Sequence, residues 1–122
     1  MNFLFKKVCI ASDHAGFKLK EDIKNYLINK NVSIFDLGPF DNKSVDYPDY
    51  AKKLAKRLKV KKSQIGILVC GSGTGMAISA NKIKTIRAAV CYNPKSTRLS
   101  RQHNNANVIA IGSRLTKKNL SL

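Results

Sequence analysis

The sequence predicts an α/β fold: a three-layer Rossmann-like domain with a five-stranded parallel sheet. Five short apolar runs rich in branched residues alternate with segments of helical pattern, as expected when each strand is buried on both faces. The run at 65–70 leads through glycines at alternate positions (71, 73 and 75) into a helical segment, which is half of a βαβ unit. With 122 residues, the chain is long enough for one domain with its own hydrophobic core.

The predicted strands lie at residues 7–12, 32–37, 65–70, 86–91 and 107–112. The second strand ends at Leu37 because Gly38 and Pro39 follow it. Each of the other strands also ends in polar or small residues, so the breaks between elements are well marked. We find no internal repeat, linker or low-complexity segment.

Helical periodicity places a helix between each pair of predicted strands. The first helix carries an apolar stripe at 15, 19, 23, 26 and 27. The second begins near Asp46, a capping residue, with Pro48 in its first turn. The third follows the glycines, and the fourth runs from about residue 94 to 103.

The chain is strongly basic, with 23 Lys and Arg against 7 Asp and Glu and a net charge of +16. Such a balance raises nucleic acid as a partner, and a positive field also attracts anionic substrates. The one dense basic run, residues 52–62, belongs to an amphipathic helix whose apolar positions are 51, 54, 55 and 58. Its lysines therefore form an ordinary solvated face, and we do not expect nucleic-acid binding.

The three cysteines indicate a reducing compartment. No secretory segment or bilayer-length apolar run is recognisable, so Cys9, Cys70 and Cys91 are expected to be free thiols in the cytoplasm, with no membrane association. There is no Cys-x-x-Cys pair and no histidine cluster, so we expect no metal.

The glycine loop at 71–75 is the strongest candidate for a binding element. Amides of such a loop converge at the positive end of the next helix, which suits an anion. Met76 replaces the last glycine of a dinucleotide fingerprint, and the loop matches neither a Walker A motif nor a hydrolase elbow. The alternative is a tight turn that packs a helix against a strand.

In parallel sheets the site lies beyond the carboxyl ends of the strands. This rule collects polar and reactive residues from distant parts of the sequence: Asp13, His14, Cys70 to Gly75, Cys91, Tyr92 and Arg114, with Tyr47 if the second loop folds over the same edge. Each has an ordinary explanation alone, such as a helix cap for Asp13 or a surface cation for Arg114. Their density at one edge favours a site.

These residues fall within motifs that resemble those of the type B ribose-5-phosphate isomerases. The shared segments are 11–20 (ASDHAGFKLK), 46–48 (DYP), 66–76 (GILVCGSGTGM), 80–82 (ANK), 86–91 (IRAAVC) and 99–114 (LSRQHNNANVIAIGSR). They cover nearly the whole chain in order. Galactose-6-phosphate isomerase subunits belong to the same superfamily, but the intact segments resemble the ribose enzyme more closely.

The resemblance implies interconversion of ribose 5-phosphate and ribulose 5-phosphate, a step of the pentose phosphate pathway, without metal or organic cofactor. It makes Cys70 the base that moves a proton between C2 and C1 and His103 the acid that opens the sugar ring. The remaining implied substrate-binding residues are Asp13, His14, Tyr47, Gly71, Ser72, Gly73, Thr74, Gly75, Asn104 and Arg114. A free thiol is mostly protonated at neutral pH, so Cys70 requires surroundings that stabilise the thiolate, and the glycine loop and helix N-terminus are expected to provide them.

Topology places His103 and Asn104 between the fourth helix and the fifth strand, at the opposite edge of the sheet from Cys70. If both ends act in catalysis, His103 enters the site of a second subunit, so we expect a homodimer with shared sites, or a tetramer built from such dimers. The alternative is that both residues cap their own helix.

The sequence departs from the family pattern at its end. The resemblance implies a further helix and an arginine-containing tail that holds the phosphate, and we expect residues 1–122 to form a single isomerase domain without them. Lys117 or Lys118 would be a weaker substitute, because lysine lacks arginine's two-pronged grip. Open interpretations are a weak isomerase, an inactive basic binding remnant, part of a longer chain, and an isomerase of a six-carbon sugar phosphate such as allose or galactose 6-phosphate.

Overall fold

The computed structural model describes residues 7–39, 47–60, 63, 65–84, 86–91, 99 and 106–113. In this part of the chain the elements are β1 (Lys7–Ser12), α1 (Phe17–Asn29), β2 (Ser33–Asp36), α2 (Tyr47–Lys59), β3 (Ile65–Cys70), α3 (Thr74–Asn81), β4 (Ala88–Cys91) and β5 (Val108–Gly112). The predicted helix at 94–103 lies outside the described residues, apart from Leu99, which is helical.

The five strands form one sheet in the order β2-β1-β3-β5-β4, and every neighbouring pair is parallel. The predicted five-stranded parallel sheet is confirmed. From β1 the chain moves outward to β2, whereas from β3 it moves the other way, towards β5 and β4. The carboxyl ends of β1 and β3 are thus a topological switch point, where a crevice opens between diverging loops.

Helices cover both faces of the sheet. On one face α1 packs through Leu19, Ile23 and Leu27. On the other face α2 and α3 pack through a buried cluster that includes Leu54, Met76 and Ala80. Successive strand residues point to opposite faces, so Val8 and Ile10 of β1 enter the first core and Cys9 and Ala11 enter the second. Because both faces of a strand are buried in this way, the strands are apolar throughout.

The basic helix α2 has the predicted amphipathic arrangement. Ala51, Leu54 and Ala55 are fully buried, while Lys52, Lys53, Lys56 and Lys59 are exposed. Helix α2 begins at Tyr47, directly after the predicted cap.

Three strands are shorter than predicted, and the smallest difference is in β5, which begins at Val108 rather than at residue 107. β2 ends at Asp36, since the chain turns at Gly38, which has a φ of 104°. The contact between the β2 and β1 segments nevertheless continues beyond Asp36, because the Leu37 amide donates to the Ile10 carbonyl at 2.9 Å. β4 begins at Ala88 rather than at residue 86, and the Asn81 side chain bonds both backbone groups of Ala88 at its start.

Candidate active site

The carboxyl ends of β1, β3 and β5 are joined by hydrogen bonds. The Asp13 amide donates to the Val69 carbonyl at 3.1 Å, and the Ser113 amide donates to the Cys70 carbonyl at 2.7 Å. The Ser113 hydroxyl donates in turn to the Ala15 carbonyl at 3.0 Å. Three loops that are far apart in sequence therefore meet around Cys70, as the strand-end rule predicts.

Two glycines allow this close approach. A methyl group at Gly16 would lie 2.5 Å from the Val69 carbonyl carbon and 2.9 Å from the Cys70 nitrogen. A methyl group at Gly112 would lie 2.5 Å from the Ser72 carbonyl oxygen. Since both obstacles are backbone atoms, only glycine fits at either position without displacing a loop.

The Cys70 sulfur accepts a hydrogen bond from backbone. Cys70 ends β3, is 3% exposed and lies against the core beneath α3. The Gly73 amide donates to its Sγ, with 2.9 Å between nitrogen and sulfur. A donor in this position stabilises negative charge on sulfur, and the nearby N-terminus of α3 acts in the same direction. The sulfur thus has a backbone donor at the start of the glycine loop.

The glycine loop is a tight turn whose amides are partly used within the loop. Gly73 has a φ of 83°, a left-handed conformation that suits glycine and turns its amide towards Cys70. The Thr74 amide donates to the Ser72 hydroxyl at 3.2 Å, and both of these residues are exposed. Gly71 is buried and Gly75 half-buried. The loop therefore serves Cys70 directly, in addition to presenting Ser72 and Thr74 to solvent.

Asp13 and His14 follow β1 at the switch point. The Asp13 carboxylate accepts the Gly16 amide at 2.9 Å and so closes the turn that leads into α1. His14 is exposed, and Asp13 is half-buried. Asp13 therefore makes the contact expected of a helix cap. It also lies at the edge of the sheet where the predicted site is located.

Other predicted site residues fall outside this description. His103, Asn104, Arg114 and Tyr92 lie outside the described residues, as do Lys117 and Lys118. Tyr47 begins α2, but its side chain is not described. Their proposed roles stay predictions. Cys91, at the end of β4, is buried and its thiol donates to the Ala89 carbonyl at 3.6 Å, as expected of a cysteine that packs as a small hydrophobic residue.

Comparison with known proteins matches residues 8–122 to the family model for the ribose/galactose isomerases. The chain belongs to this family. Ribose-5-phosphate isomerase B of Escherichia coli is 44% identical over 110 residues, which are 90% of this chain and 74% of that protein. A putative sugar phosphate isomerase of Rickettsia bellii is 44% identical over 107 residues, 88% of this chain and 74% of the relative.

Solved structures of the family agree in fold. A ribose 5-phosphate isomerase of Thermotoga maritima matches with a TM-score of 0.92 and 49% identity, over 94% of this chain and 79% of that one. Ribose-5-phosphate isomerase B of Clostridium thermocellum gives the same TM-score at 43% identity, over 94% of this chain and 78% of its own. The resemblance predicted from the sequence motifs is confirmed.

Within this family fold, a buried ion-pair cluster lies beneath the loop of Asp13, and the sequence analysis missed it. Lys20 of α1 has a fully buried side chain and contacts Asp36 at the end of β2. A signal was present in the sequence, because Lys20 is spaced three residues before Ile23 and seven before Leu27 on the buried stripe.

The described part of this isomerase-family chain contains no group of three or more His, Cys, Asp and Glu side chains arranged to hold a metal ion. The absence of metal and of organic cofactor stays a prediction. None of the described helices has the length and apolar character needed to cross a membrane. The three cysteines are free thiols.

Proposed function

We propose that this chain interconverts D-ribose 5-phosphate and D-ribulose 5-phosphate by moving a proton between C2 and C1 through an enediolate. The observation that carries the proposal is the hydrogen bond from the Gly73 amide to the Cys70 sulfur at the switch point. It is supported by the 44% identity to the Escherichia coli enzyme of that name. An isomerase of a six-carbon sugar phosphate is not favoured. Where the names of the relatives and solved structures given above specify a sugar, that sugar is ribose 5-phosphate.

In the proposed reaction the Cys70 thiolate takes the proton from C2 of the open-chain aldose. The C2–H electron pair becomes the C1–C2 double bond, and the carbonyl electrons move to the C1 oxygen. The C2 hydroxyl proton passes to the C1 oxygen, which leaves the negative charge of the enediolate on the C2 oxygen. As the carbonyl forms at C2, the electron pair of the C1–C2 double bond takes the proton back from the Cys70 thiol at C1, and the thiolate is regenerated. Charge builds on oxygen in each half, so donors aimed there lower the barrier, by about 3 kcal/mol for one well-placed donor.

The glycine loop is the proposed source of these donors, together with the exposed Ser72 and Thr74. Asp13 and His14, on the adjacent strand end, would bind substrate hydroxyls or the phosphate end. His103 would open the sugar ring, and Tyr47, Asn104 and Arg114 would complete the site, as the family resemblance implies. The abundant positive charge, +16 in all, suits a phosphorylated substrate.

The proposal includes a homodimer in which His103 acts in the partner's site, with the protein working in the cytoplasm. The free state of all three thiols supports a reducing compartment. Mixing Cys70→Ala chains with His103→Ala chains tests the shared site. Partial recovery of activity is expected, and mixed dimers without any activity would contradict sharing.

The test of the function is a coupled assay of ribose 5-phosphate turnover by the purified chain and its cysteine variants. We expect Cys70→Ala to lose turnover by at least about a thousandfold while it still binds substrate, because it loses the base but none of the binding groups. Cys91→Ala is the matched control, since Cys91 is also a buried thiol at a strand end. Full activity in Cys70→Ala would remove Cys70 from the mechanism, and equal losses in both variants would indicate a folding defect instead.

A further inference from the structure

Beneath the loop that carries Asp13 and His14 lies a charge pair in which one member has no exposed surface. The Lys20 Nζ atom lies 2.9 and 2.7 Å from the two carboxylate oxygens of Asp36 and 2.8 Å from the Glu21 Oε2 atom. The Lys20 side chain is fully buried, and that of Asp36 is only 10% exposed. Lysine is almost never fully buried, and an apolar pair of the same size is often at least as stable as a buried ion pair. Stability alone therefore does not explain these residues.

The Asp36 carboxylate is connected to the entry side of the site loop. Its Oδ1 atom accepts the Gly38 amide at 2.9 Å. The Gly38 carbonyl in turn accepts the Ser12 amide at 3.1 Å. Ser12 is the last residue of β1 and directly precedes Asp13. The position of Gly38, and with it the start of the loop, depends on Asp36.

The same carboxylate is connected to the exit side through Lys20. Lys20 lies in the first turn of α1, and its amide donates to the Gly16 carbonyl at 2.9 Å. Its side chain then reaches back to Asp36. A single carboxylate thus fixes both the residue before the loop and the helix after it.

The Asp36 carboxylate stays ionised at neutral pH. Burial alone would raise the pKa of the Asp36 carboxyl, but hydrogen bonds from Lys20, Lys24 and the Gly38 amide outweigh it and leave the pKa below its usual range. The hydrogen bond to Asp36 likewise raises the pKa of Lys24. Lys24 reaches Asp36 Oδ2 at 2.9 Å from a partly exposed position and also contacts Glu21.

We propose that Lys20 and Asp36 are positioning residues that hold Asp13 and His14 against the end of β3. They act through the main chain at both flanks of the loop and do not touch substrate. The consequence for catalysis rests on the proposed function, in which Asp13 and His14 bind the sugar phosphate. The consequence for the loop itself does not depend on any activity.

The test compares two double variants with the same change of charge. Lys20→Met/Asp36→Leu replaces the pair by apolar side chains, whereas Lys20→Met/Asp36→Asn retains an oxygen that can accept the Gly38 amide. We expect amide hydrogen exchange at Ser12 and Gly38 to be on the order of tenfold faster in the Leu variant and close to wild type in the Asn variant. Leu68, in the centre of the sheet, reports global unfolding.

The kinetic measurement uses ribose 5-phosphate. We expect the Leu variant to raise KM by on the order of tenfold and to change kcat by less than about threefold, since the binding loop moves and Cys70 does not. Lys24→Met is the matched single control, because Lys24 contacts the same carboxylate without linking the loop, and its KM should stay within about twofold of wild type. A merely structural pair would change exchange throughout the core and leave the KM of the folded protein unaltered.

Equal exchange at Ser12 and Gly38 in the two double variants would overturn the proposal. If the Leu variant does not fold, the single variant Lys20→Met replaces it in the kinetic measurement, because Asp36 stays paired with Lys24 there. A KM of Lys20→Met equal to that of wild type would also overturn the proposal. A wild-type chain without isomerase activity would contradict the proposed function, and the exchange comparison would still decide the positioning role.

Discussion

Substituting alanine for Gly16 tests whether the spacing of the β1 and β3 loops controls catalysis. The added methyl group would lie 2.5 Å from the Val69 carbonyl carbon and 2.9 Å from the Cys70 nitrogen, and closer still to the Val69 carbonyl oxygen. Gly16 has a φ of −94°, so alanine is compatible with the local backbone and the effect is purely one of space.

The required movement is about 1 Å, because ordinary contact begins at 3.4 Å. All three obstructing atoms belong to the backbone of the strand that carries the sulfur, so the loop of Asp13 must move away from Cys70. A misplacement of about 1 Å costs on the order of a hundredfold in rate. Overpacking also lowers the free energy of unfolding, by about 1–3 kcal/mol.

Gly66→Ala is a matched control. Its methyl group would overlap the Leu54 side chain, with the Leu54 Cγ atom at 3.1 Å, and a flexible side chain can rotate away. Gly66 is also near the amino end of β3, remote from Cys70. We expect a comparable loss of stability by urea unfolding, with kcat/KM within about threefold of wild type.

The decisive measurement is the ratio of kcat/KM between the two alanine variants with ribose 5-phosphate. A ratio near one, with both proteins folded, would refute the conclusion that Gly16 sets the distance between the loop of Asp13 and the proposed base, Cys70. If kcat/KM falls in both variants in proportion to their loss of stability, the effect is one of folding.

Three further predictions concern single groups. Gly73→Ala places a side chain at a φ of 83°, which costs about 1–2 kcal/mol, and shifts the amide that bonds the Cys70 sulfur, so kcat should fall more than KM rises; a fall in stability with unchanged kcat would contradict it. Burial raises the pKa of Cys9 from 9.0 to about 11, so above pH 9 the unfolded chain ionises first and stability should fall by about 2–3 kcal/mol by pH 11. Urea unfolding of Cys9→Ala should lack that slope, and an equal slope would assign it to other groups. Asp36 has a lowered pKa, so its stabilising effect should be complete above the unfolded value of 3.8 and disappear as the pH falls through the folded value; acid unfolding of Lys20→Met/Asp36→Leu should be correspondingly less steep.

The fold was predictable because its strands are encoded locally. β1 spans the predicted residues, and β3 ends at Cys70 as expected, since runs of branched apolar residues bounded by polar or glycine residues mark buried parallel strands. The insertion of β5 between β3 and β4 was not predictable in this way. Strands that are apolar on both faces carry no information about which neighbour they pair with.

The candidate site was predictable as a set of strand ends but not in its internal contacts. Composition and spacing place Cys70 next to a glycine loop, and only the structure shows that the Gly73 amide points at the sulfur. The pairing of Lys20 with Asp36 joins residues sixteen apart in the sequence, which no local pattern reveals. Whether a charged side chain can be buried depends on a partner that is near in space, whereas the apolar stripe of a helix is visible in the periodicity of the helix itself.

The Cys70 sulfur, the proposed base, belongs to a strand with a hydrogen-bonded neighbour on each side, β1 and β5. Sheet interiors are the last parts of a domain to open, so the thiol is attached to the most persistent structure in the molecule. The loops that surround it can be exchanged or lengthened without altering where it stands. A scaffold of this kind lets the loops vary while the sulfur keeps its place.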